Sequence, residues 1–126
     1  MPKNQHSNPS LLVIEDNLVC QKVYLNILKE DYSVDMVATA NEALNCVGKK
    51  RYHCIISDLG LPDMPGEKLL PLIRVTQLNK NTPVIVISAH VNEVLKQSCF
   101  ASGANQVFTK PIENKLLKEL IAKLSK

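Results

Sequence analysis

Short apolar runs alternate with amphipathic stretches along most of the chain. The unbroken aliphatic runs at residues 11–14 and 84–87 are typical of strands that are buried on both faces. Other short runs rich in β-branched residues have the same character. This pattern predicts five strands, at residues 11–14, 34–38, 54–56, 84–87 and 106–109.

Apolar residues at helical spacing fill the segments between the predicted strands. Five of them share one face of the first helix, which predicts a core face centred near Val23. These five residues are Cys20, Val23, Tyr24, Ile27 and Leu28. A capping box opens the second helix, with Thr39 as N-cap and Glu42 reaching back, and Gly48 marks its end. In the third helix Pro71 removes a backbone hydrogen bond, so we expect a late start or a kink there.

Five strands that alternate with five helices predict a parallel sheet with helices on both faces. The fourth and fifth helices are predicted over residues 91–101 and 112–124. The leading topology is a flavodoxin-like (βα)5 fold with strand order 2-1-3-4-5 and a crevice at the carboxyl ends of strands 1 and 3. Residues 1–9 are predicted to form a flexible tail ahead of a single domain over residues 10–126.

Composition and charge exclude several classes of protein. The net charge of +3 is too small and too scattered for a nucleic-acid footprint, and Trp is absent. No apolar stretch approaches the roughly 20 residues that a transmembrane helix needs. The polar N-terminus also lacks the apolar segment of a signal peptide. We therefore expect a domain that neither binds nucleic acid nor spans a membrane. We also predict that it is cytoplasmic and monomeric.

The cysteines and histidines show no metal-site pattern. The four cysteines are Cys20, Cys46, Cys54 and Cys99. No two of them have the spacing of a zinc site or a redox motif, and the three histidines are isolated. We interpret the cysteines as small core residues of a protein in a reducing compartment.

Polar residues stand where the predicted strands end. They are Glu15 and Asp16 after strand 1, Asp58 after strand 3, Ser88 after strand 4 and Lys110 after strand 5. Three carboxylates at one sheet edge repel one another, and a mostly hydrated Mg²⁺ would relieve that repulsion. Lys110 supplies a point charge for an anion. The set predicts phosphoryl transfer, in which a carboxylate can be the nucleophile and form an aspartyl phosphate.

Five short segments carry a resemblance to a known family. They are EDN at residues 15–17, DLGLPDMPG at 58–66, SA at 88–89, GA at 103–104 and KPI at 110–112. With them the chain resembles the receiver domain of two-component response regulators over residues 10–125. It is similar in style to receivers of hybrid sensor histidine kinases and phosphorelays. The resemblance implies that the domain takes a phosphoryl group from a phosphohistidine and either passes it on or signals by it.

The resemblance also implies a role for each residue at the strand ends. Asp58 would be the phosphoacceptor. Glu15 and Asp16 would hold Mg²⁺, or Mn²⁺, together with Asp58 and the backbone carbonyl of Gly60. The groups that would contact the phosphoryl group are the Ser88 hydroxyl, the Ala89 N–H and the Lys110 ammonium. A cis peptide bond before Pro111 would aim the preceding lysine into the site.

One departure from the family pattern affects the conformational switch. Val107 stands where many members have Tyr or Phe, and Phe108 should point to the other side of the strand. A short, stiff side chain cannot turn into the space that Ser88 leaves. We therefore expect only a small conformational change on phosphorylation, confined largely to the loop after Ser88, although His90 or Phe108 could take the aromatic role.

The implied partner is a histidine kinase or a histidine-phosphotransfer domain. We predict that it docks on the exposed side of the first helix, at Leu18, Lys22 and Leu25. The receiver would catalyse its own phosphorylation and a slow dephosphorylation. Whether the chain is a free-standing receiver or part of a hybrid kinase stays open.

Two other functions also stay open. A flavodoxin-like FMN-binding protein would need a hydroxyl- and glycine-rich phosphate loop after strand 1, where this chain has two acids. A degenerate receiver that acts only as a protein-interaction module would have lost Asp58, the acidic pair or Lys110, and none is lost. Phosphorylation by a small phosphodonor with Mg²⁺ distinguishes these possibilities.

Overall fold

Five parallel strands form one sheet in the order β2-β1-β3-β4-β5 in the computed structural model, which describes residues 8–124. The strands are β1 (Ser10–Ile14), β2 (Ser33–Val37), β3 (Cys54–Ser57), β4 (Val84–Ser88) and β5 (Gln106–Thr109). The predicted flavodoxin-like topology is confirmed. The predicted tail, residues 1–9, lies outside the described residues except for its last two positions.

A helix follows each strand. The helices are α1 (Leu18–Leu28), α2 (Ala40–Lys49), α3 (Gly66–Arg74), α4 (Glu93–Ser102) and α5 (Asn114–Leu124). Thr39 caps α2 as predicted, but the Glu42 carboxylate reaches back to the N–H of Ala38 rather than to that of the cap residue. Between residues 8 and 124, no helix is both long and apolar enough to cross a membrane.

The prediction for α1 is wrong in one respect, the direction of its core face. Tyr24 and Leu28 are buried, whereas Val23 is 49% exposed. Successive helical residues are about 100° apart, so burial of Tyr24 turns its neighbour away from the sheet. Val23 lies instead beside Pro111 and Ile112, on the surface next to the loop after β5.

The third helix starts earlier than its proline suggests. It begins at Gly66, so of the two expectations the late start is wrong, and Pro71 lies inside the helix, where the kink stays a prediction. Burial of Leu69, Leu70 and Ile73 against the sheet supports the helix despite the missing backbone donor. Near its end, the Arg74 guanidinium donates to the carbonyls of Gly103 and Thr82 at 2.7 Å each.

The core lies in two layers, one on each face of the sheet. Leu12 and Ile14 pack into the layer under α2, α3 and α4, and Leu11 and Val13 pack into the layer under α1 and α5. This alternation follows from the two-residue repeat of a strand. In β5 the same repeat places Val107 in the first layer and its neighbour Phe108 in the second, as expected.

Candidate functional site

Three carboxylates meet at the carboxyl edge of the sheet. Strands β1 and β3 are neighbours, and their last residues are paired in register. The Asp58 N–H also donates to the carbonyl of Ile14 at 3.0 Å. Glu15, Asp16 and Asp58 follow these strand ends, and each offers a carboxylate oxygen within 4.8 Å of the others. The topology therefore brings together the acids that the sequence separates by more than forty positions.

The Asp58 carboxylate is held by four donors. Its Oδ1 accepts from the N–H groups of Leu59 (2.6 Å) and Gly60 (3.2 Å) and from the Ser88 hydroxyl (2.9 Å). Its Oδ2 accepts from the Lys110 ammonium at 2.9 Å. Burial tends to raise the pKa of Asp58, but the bonds from Lys110, Gly60 and Ser88 outweigh it and leave the pKa below its ordinary value. The carboxylate is thus ionised and oriented at neutral pH.

Lys110 is the cation of the cluster. Its ammonium donates to Glu15 Oε1 at 2.8 Å as well as to Asp58, and its third contact is the Cys20 sulfur at 3.5 Å. Burial disfavours the charged amine, yet the two carboxylates raise the pKa of Lys110 above its ordinary value. Glu15 is 1% exposed, and this burial raises the pKa of its carboxyl despite the lysine. The peptide bond between Lys110 and Pro111 is cis, as the resemblance implied.

The oxygen donors at this edge suit a hard divalent cation. Glu15 and Asp58 are already bonded to Lys110, whereas the side chain of Asp16 is exposed and makes no hydrogen bond or ion pair within residues 8–124. Gly60 is also exposed and lines the same cleft. Carboxylate and carbonyl oxygens with room for several waters match the needs of Mg²⁺.

The loop between β3 and α3 is fastened by a residue that sequence reasoning missed. The Asp63 carboxylate accepts from the N–H groups of Ala40 and Asn41, each at 2.9 Å, at the start of α2. These two bonds lower the pKa of Asp63. A bridge between Gly60 and Pro65 closes the same loop. The sequence carries no signal for this pairing, since the bonded groups lie 22 and 23 positions apart.

Gly66 lets α3 begin directly against the segment that follows β3. A Cβ at this position would lie 2.5 Å from the Leu59 Cα and 2.6 Å from the Asp58 carbonyl oxygen. Its N–H donates to the Leu59 carbonyl at 2.8 Å. A glycine is therefore needed for close approach of the two segments, not for a special backbone angle.

The predicted docking residues lie on the outer surface of α1. Leu18 is 70% exposed, Leu25 is 42% exposed, and Lys22 is exposed between them. Val19 and Val23 extend this apolar surface toward the cleft. The sequence prediction missed these two valines because it assigned Val23 to the core.

A five-stranded (βα)5 domain with an acidic cleft and an opposed lysine at its carboxyl edge is the architecture of a phosphorylation module. Residues 11–122 match the family model of the response regulator receiver domain. The chain belongs to this family, and the predicted resemblance is confirmed.

The relatives include hybrid kinases and transcriptional regulators. The chain is 30% identical over 119 residues to a hybrid signal transduction histidine kinase I of Dictyostelium discoideum, covering 88% of this chain and 7% of that protein. It is 31% identical over 114 residues to the cell cycle transcriptional regulator CtrA of Caulobacter vibrioides, covering 90% of this chain and 47% of the regulator. The chain thus spans less than half the length of either relative.

A solved structure shows the same fold with a metal. The receiver domain of a sensor histidine kinase from Pseudomonas aeruginosa superposes with a TM-score of 0.87 at 26% identity, covering 94% of this chain and 98% of that one. That crystal structure has a magnesium ion coordinated in its active-site cleft. The present chain has an acidic cluster at the corresponding edge of its sheet.

Proposed function

We propose that Asp58 of this receiver accepts a phosphoryl group from a phosphohistidine. In this step an Asp58 oxygen forms a bond to phosphorus, the P–N bond breaks, and the imidazole nitrogen takes back the electron pair. The observation that carries the proposal is that Ser88 and Lys110 donate hydrogen bonds to the two oxygens of one ionised, buried aspartate. Such an arrangement positions the nucleophile and supplies charge to the transferring group.

The other residues of the cleft hold charge rather than take part in bond making. Glu15, Asp16 and the Gly60 carbonyl would hold Mg²⁺ or Mn²⁺ beside Asp58. A bound divalent cation supplies charge neutralisation for phosphoryl oxygens. Lys110 would exchange its bond to Asp58 for one to the phosphoryl group.

Two further groups would close around the phosphoryl oxygens. Ser88 would turn its hydroxyl from Asp58 Oδ1 toward one of them, and Ala89 would offer its N–H. Once Asp58 carries the phosphoryl group its carboxyl is no longer an anion, so the charge-assisted bonds are then those to the phosphoryl oxygens.

Intact-mass measurement after incubation with acetyl phosphate tests the phosphoacceptor. We expect one phosphoryl group per chain with Mg²⁺ present and none after chelation with EDTA. Asp58→Asn should remove the labelling, whereas Asp31→Asn, an exposed aspartate outside the cleft, should retain it. Full labelling of Asp58→Asn would assign the phosphoryl group to another residue.

We propose that the partner is a histidine kinase or a histidine-phosphotransfer domain that docks on α1. The support is the exposed apolar surface beside the cleft, which includes Leu18 and Leu25. Leu18→Asp should slow transfer from a phosphorylated histidine-phosphotransfer domain while labelling by acetyl phosphate continues. Val75→Asp, at a residue that is 80% exposed after α3, is the matched control. Equal losses in both assays would indicate damage to the fold instead.

We also propose that the domain works as a monomeric phosphate conduit in the cytoplasm. Its four free thiols support a reducing compartment. Val107 of β5 is buried in the core layer under α2, α3 and α4 and carries no ring that could turn, so activation should leave β5 and α5 nearly unchanged. Beryllofluoride with Mg²⁺ should shift the amide resonances of the loop after Ser88. Large shifts across β5 and α4, or dimerisation, would contradict the conduit.

A further inference from the structure

A second cavity lies beside the phosphorylation cleft, between α1 and the loop after β5. It encloses about 330 Å³. Its walls are apolar and are formed by Val19, Val23, Ile27, Pro111 and Ile112. Three side chains with polar groups, Cys20, Tyr24 and Lys110, line the same space. An apolar pocket with a few convergent polar groups is the usual form of a small-molecule site.

The Tyr24 hydroxyl is a buried donor without a partner. Tyr24 is only 7% exposed, and its hydroxyl makes no hydrogen bond to any group of residues 8–124. Burial raises its pKa, and the charges that act on it most strongly are those of Lys110 and Glu15. The hydroxyl of this cavity-lining residue therefore stays protonated. A buried hydroxyl that lacks a hydrogen-bond partner costs free energy. A ligand whose acceptor group enters the cavity would be stabilised by accepting a hydrogen bond from this hydroxyl.

Cys20 places a nucleophilic atom in the same cavity. It is half-buried, and its sulfur lies 3.5 Å from the Lys110 ammonium. The thiol lines the cavity one helical turn before Tyr24, so the two side chains lie on the same face of α1. Cys46 is also half-buried but lies on α2, beside Tyr52. The chain thus contains its own reference thiol.

We propose that Cys20 is a modification site for small α,β-unsaturated carbonyl compounds, with Tyr24 as the donor to the carbonyl oxygen. The Cys20 sulfur forms a bond to the β carbon, and the electron pair of the C=C bond moves toward the carbonyl to give an enolate. The hydroxyl of Tyr24 stabilises that oxygen. The proton that leaves the thiol ends on the α carbon, so the addition requires no further reactant.

The adduct would regulate the receiver. It would fill the cavity under Val19 and Val23, next to the surface proposed for partner docking, and it would crowd the Lys110 ammonium. Phosphotransfer from a histidine-phosphotransfer domain should therefore stop in the modified protein. This consequence rests on the proposed phosphoacceptor function, whereas the modification itself does not.

Site-resolved labelling of the full chain with cyclohexenone tests the proposal. Peptide mass spectrometry over time gives separate rates for Cys20 and Cys46. We expect Cys20 to react first, and Tyr24→Phe to slow its labelling about tenfold, as the loss of one useful hydrogen bond implies. Dithiodipyridine, a disulfide without a carbonyl group, should label Cys20 of wild type and Tyr24→Phe at the same rate. In Cys20→Ser, cyclohexenone should no longer change phosphotransfer.

Three results would overturn the proposal. One is equal cyclohexenone rates at Cys20 and Cys46. Another is an unchanged rate in Tyr24→Phe. The third is equal slowing of both reagents in that variant, which would reflect altered access rather than a hydrogen bond. Labelling needs no phosphodonor, so its failure and a failure of Asp58 phosphorylation are separately visible.

Discussion

Replacement of Lys110 by Met should destabilise the domain and at the same time tighten its grip on a divalent cation. The ammonium lies 2.8 Å from Glu15 and 2.9 Å from Asp58. At an effective dielectric constant near 20, each unit-charge pair at about 4 Å attracts by roughly 4 kcal/mol, and desolvation of the amine offsets much of this. Removal of one partner of a buried pair costs about 3 to 5 kcal/mol. Because Lys110 is 19% exposed, we expect a loss near the lower end of that range.

The effect of Mg²⁺ should run the other way. Without Lys110, three carboxylates share the cleft with no cation, so their repulsion is relieved only by the metal. Bound Mg²⁺ contributes about 2.7 kcal/mol at 100 times its Kd, and a lower Kd in Lys110→Met makes this gain larger at a fixed concentration. Magnesium should therefore recover more unfolding free energy in the variant than in the wild type.

Urea unfolding at neutral pH, with EDTA or with Mg²⁺, measures both effects. Lys118→Met, at an exposed lysine of α5 without a salt bridge in the described chain, is the control for loss of charge. Since the carboxylates raise the pKa of Lys110, its contribution is complete below its ordinary value of 10.5 and is lost as pH rises through the folded-state value. A Lys110→Met variant that is as stable as the control in EDTA, or that binds Mg²⁺ more weakly than wild type, would contradict this role of Lys110.

Three further substitutions probe the frame around Asp58. Ser88→Ala should raise the pKa of Asp58, because it removes one hydrogen bond to the carboxylate. The lowered pKa stabilises the fold, and this stabilisation is lost as pH falls. Acid unfolding of the variant, followed by circular dichroism, should therefore begin at a higher pH than in the wild type. Asp63→Asn should speed hydrogen exchange of the first α2 amides, measured by NMR, and weaken Mg²⁺ binding. Unchanged exchange would show that Asp63 does not hold the start of α2. Gly66→Ala should cost about 1 to 3 kcal/mol in urea unfolding, by overpacking against Leu59, and a neutral result would show that the loop relaxes freely.

The sheet could be predicted from the sequence because each strand is a short apolar run between helical patterns. Parallel strands in a right-handed (βα)5 arrangement allow few orders, so the meeting of Glu15 and Asp58 at one edge followed from the topology. The site needed little more, since its residues stand at or directly after strand ends that the sequence placed to within one residue. Element bounds were less secure, as the early start of α3 and the extension of α2 to Lys49 show.

The other features of the structure depend on the rotation of α1 about its axis and on contacts between loops, and the periodicity of the sequence encodes neither. The apolar residues of α1 cover more than half of its circumference, so their spacing could not decide whether Val23 or Tyr24 faces the sheet. The same rotation brings Cys20 to Lys110. Cys54 and Cys99 are buried in the core as predicted, whereas Cys20 and Cys46 are half-buried and pack at its margin. The bond from Asp63 to α2 joins two loops whose distance is set only in the finished fold.

The two oxygens of Asp58 differ in the kind of donor that holds them. Oδ1 is fixed by the backbone donors of Leu59 and Gly60, which cannot leave without rearrangement of the loop. Within residues 8–124, Oδ2 accepts only from Lys110, and Ser88 is the one side-chain donor to Oδ1. The rigid donors therefore set the direction of the carboxylate, while the two side chains that can rotate are those with a new anion to bind after transfer. The backbone donors thus orient the carboxylate, while Lys110 and Ser88 supply charge and a mobile hydrogen bond. A substitution of Lys110 or Ser88 should therefore leave the direction of the Asp58 carboxylate unchanged.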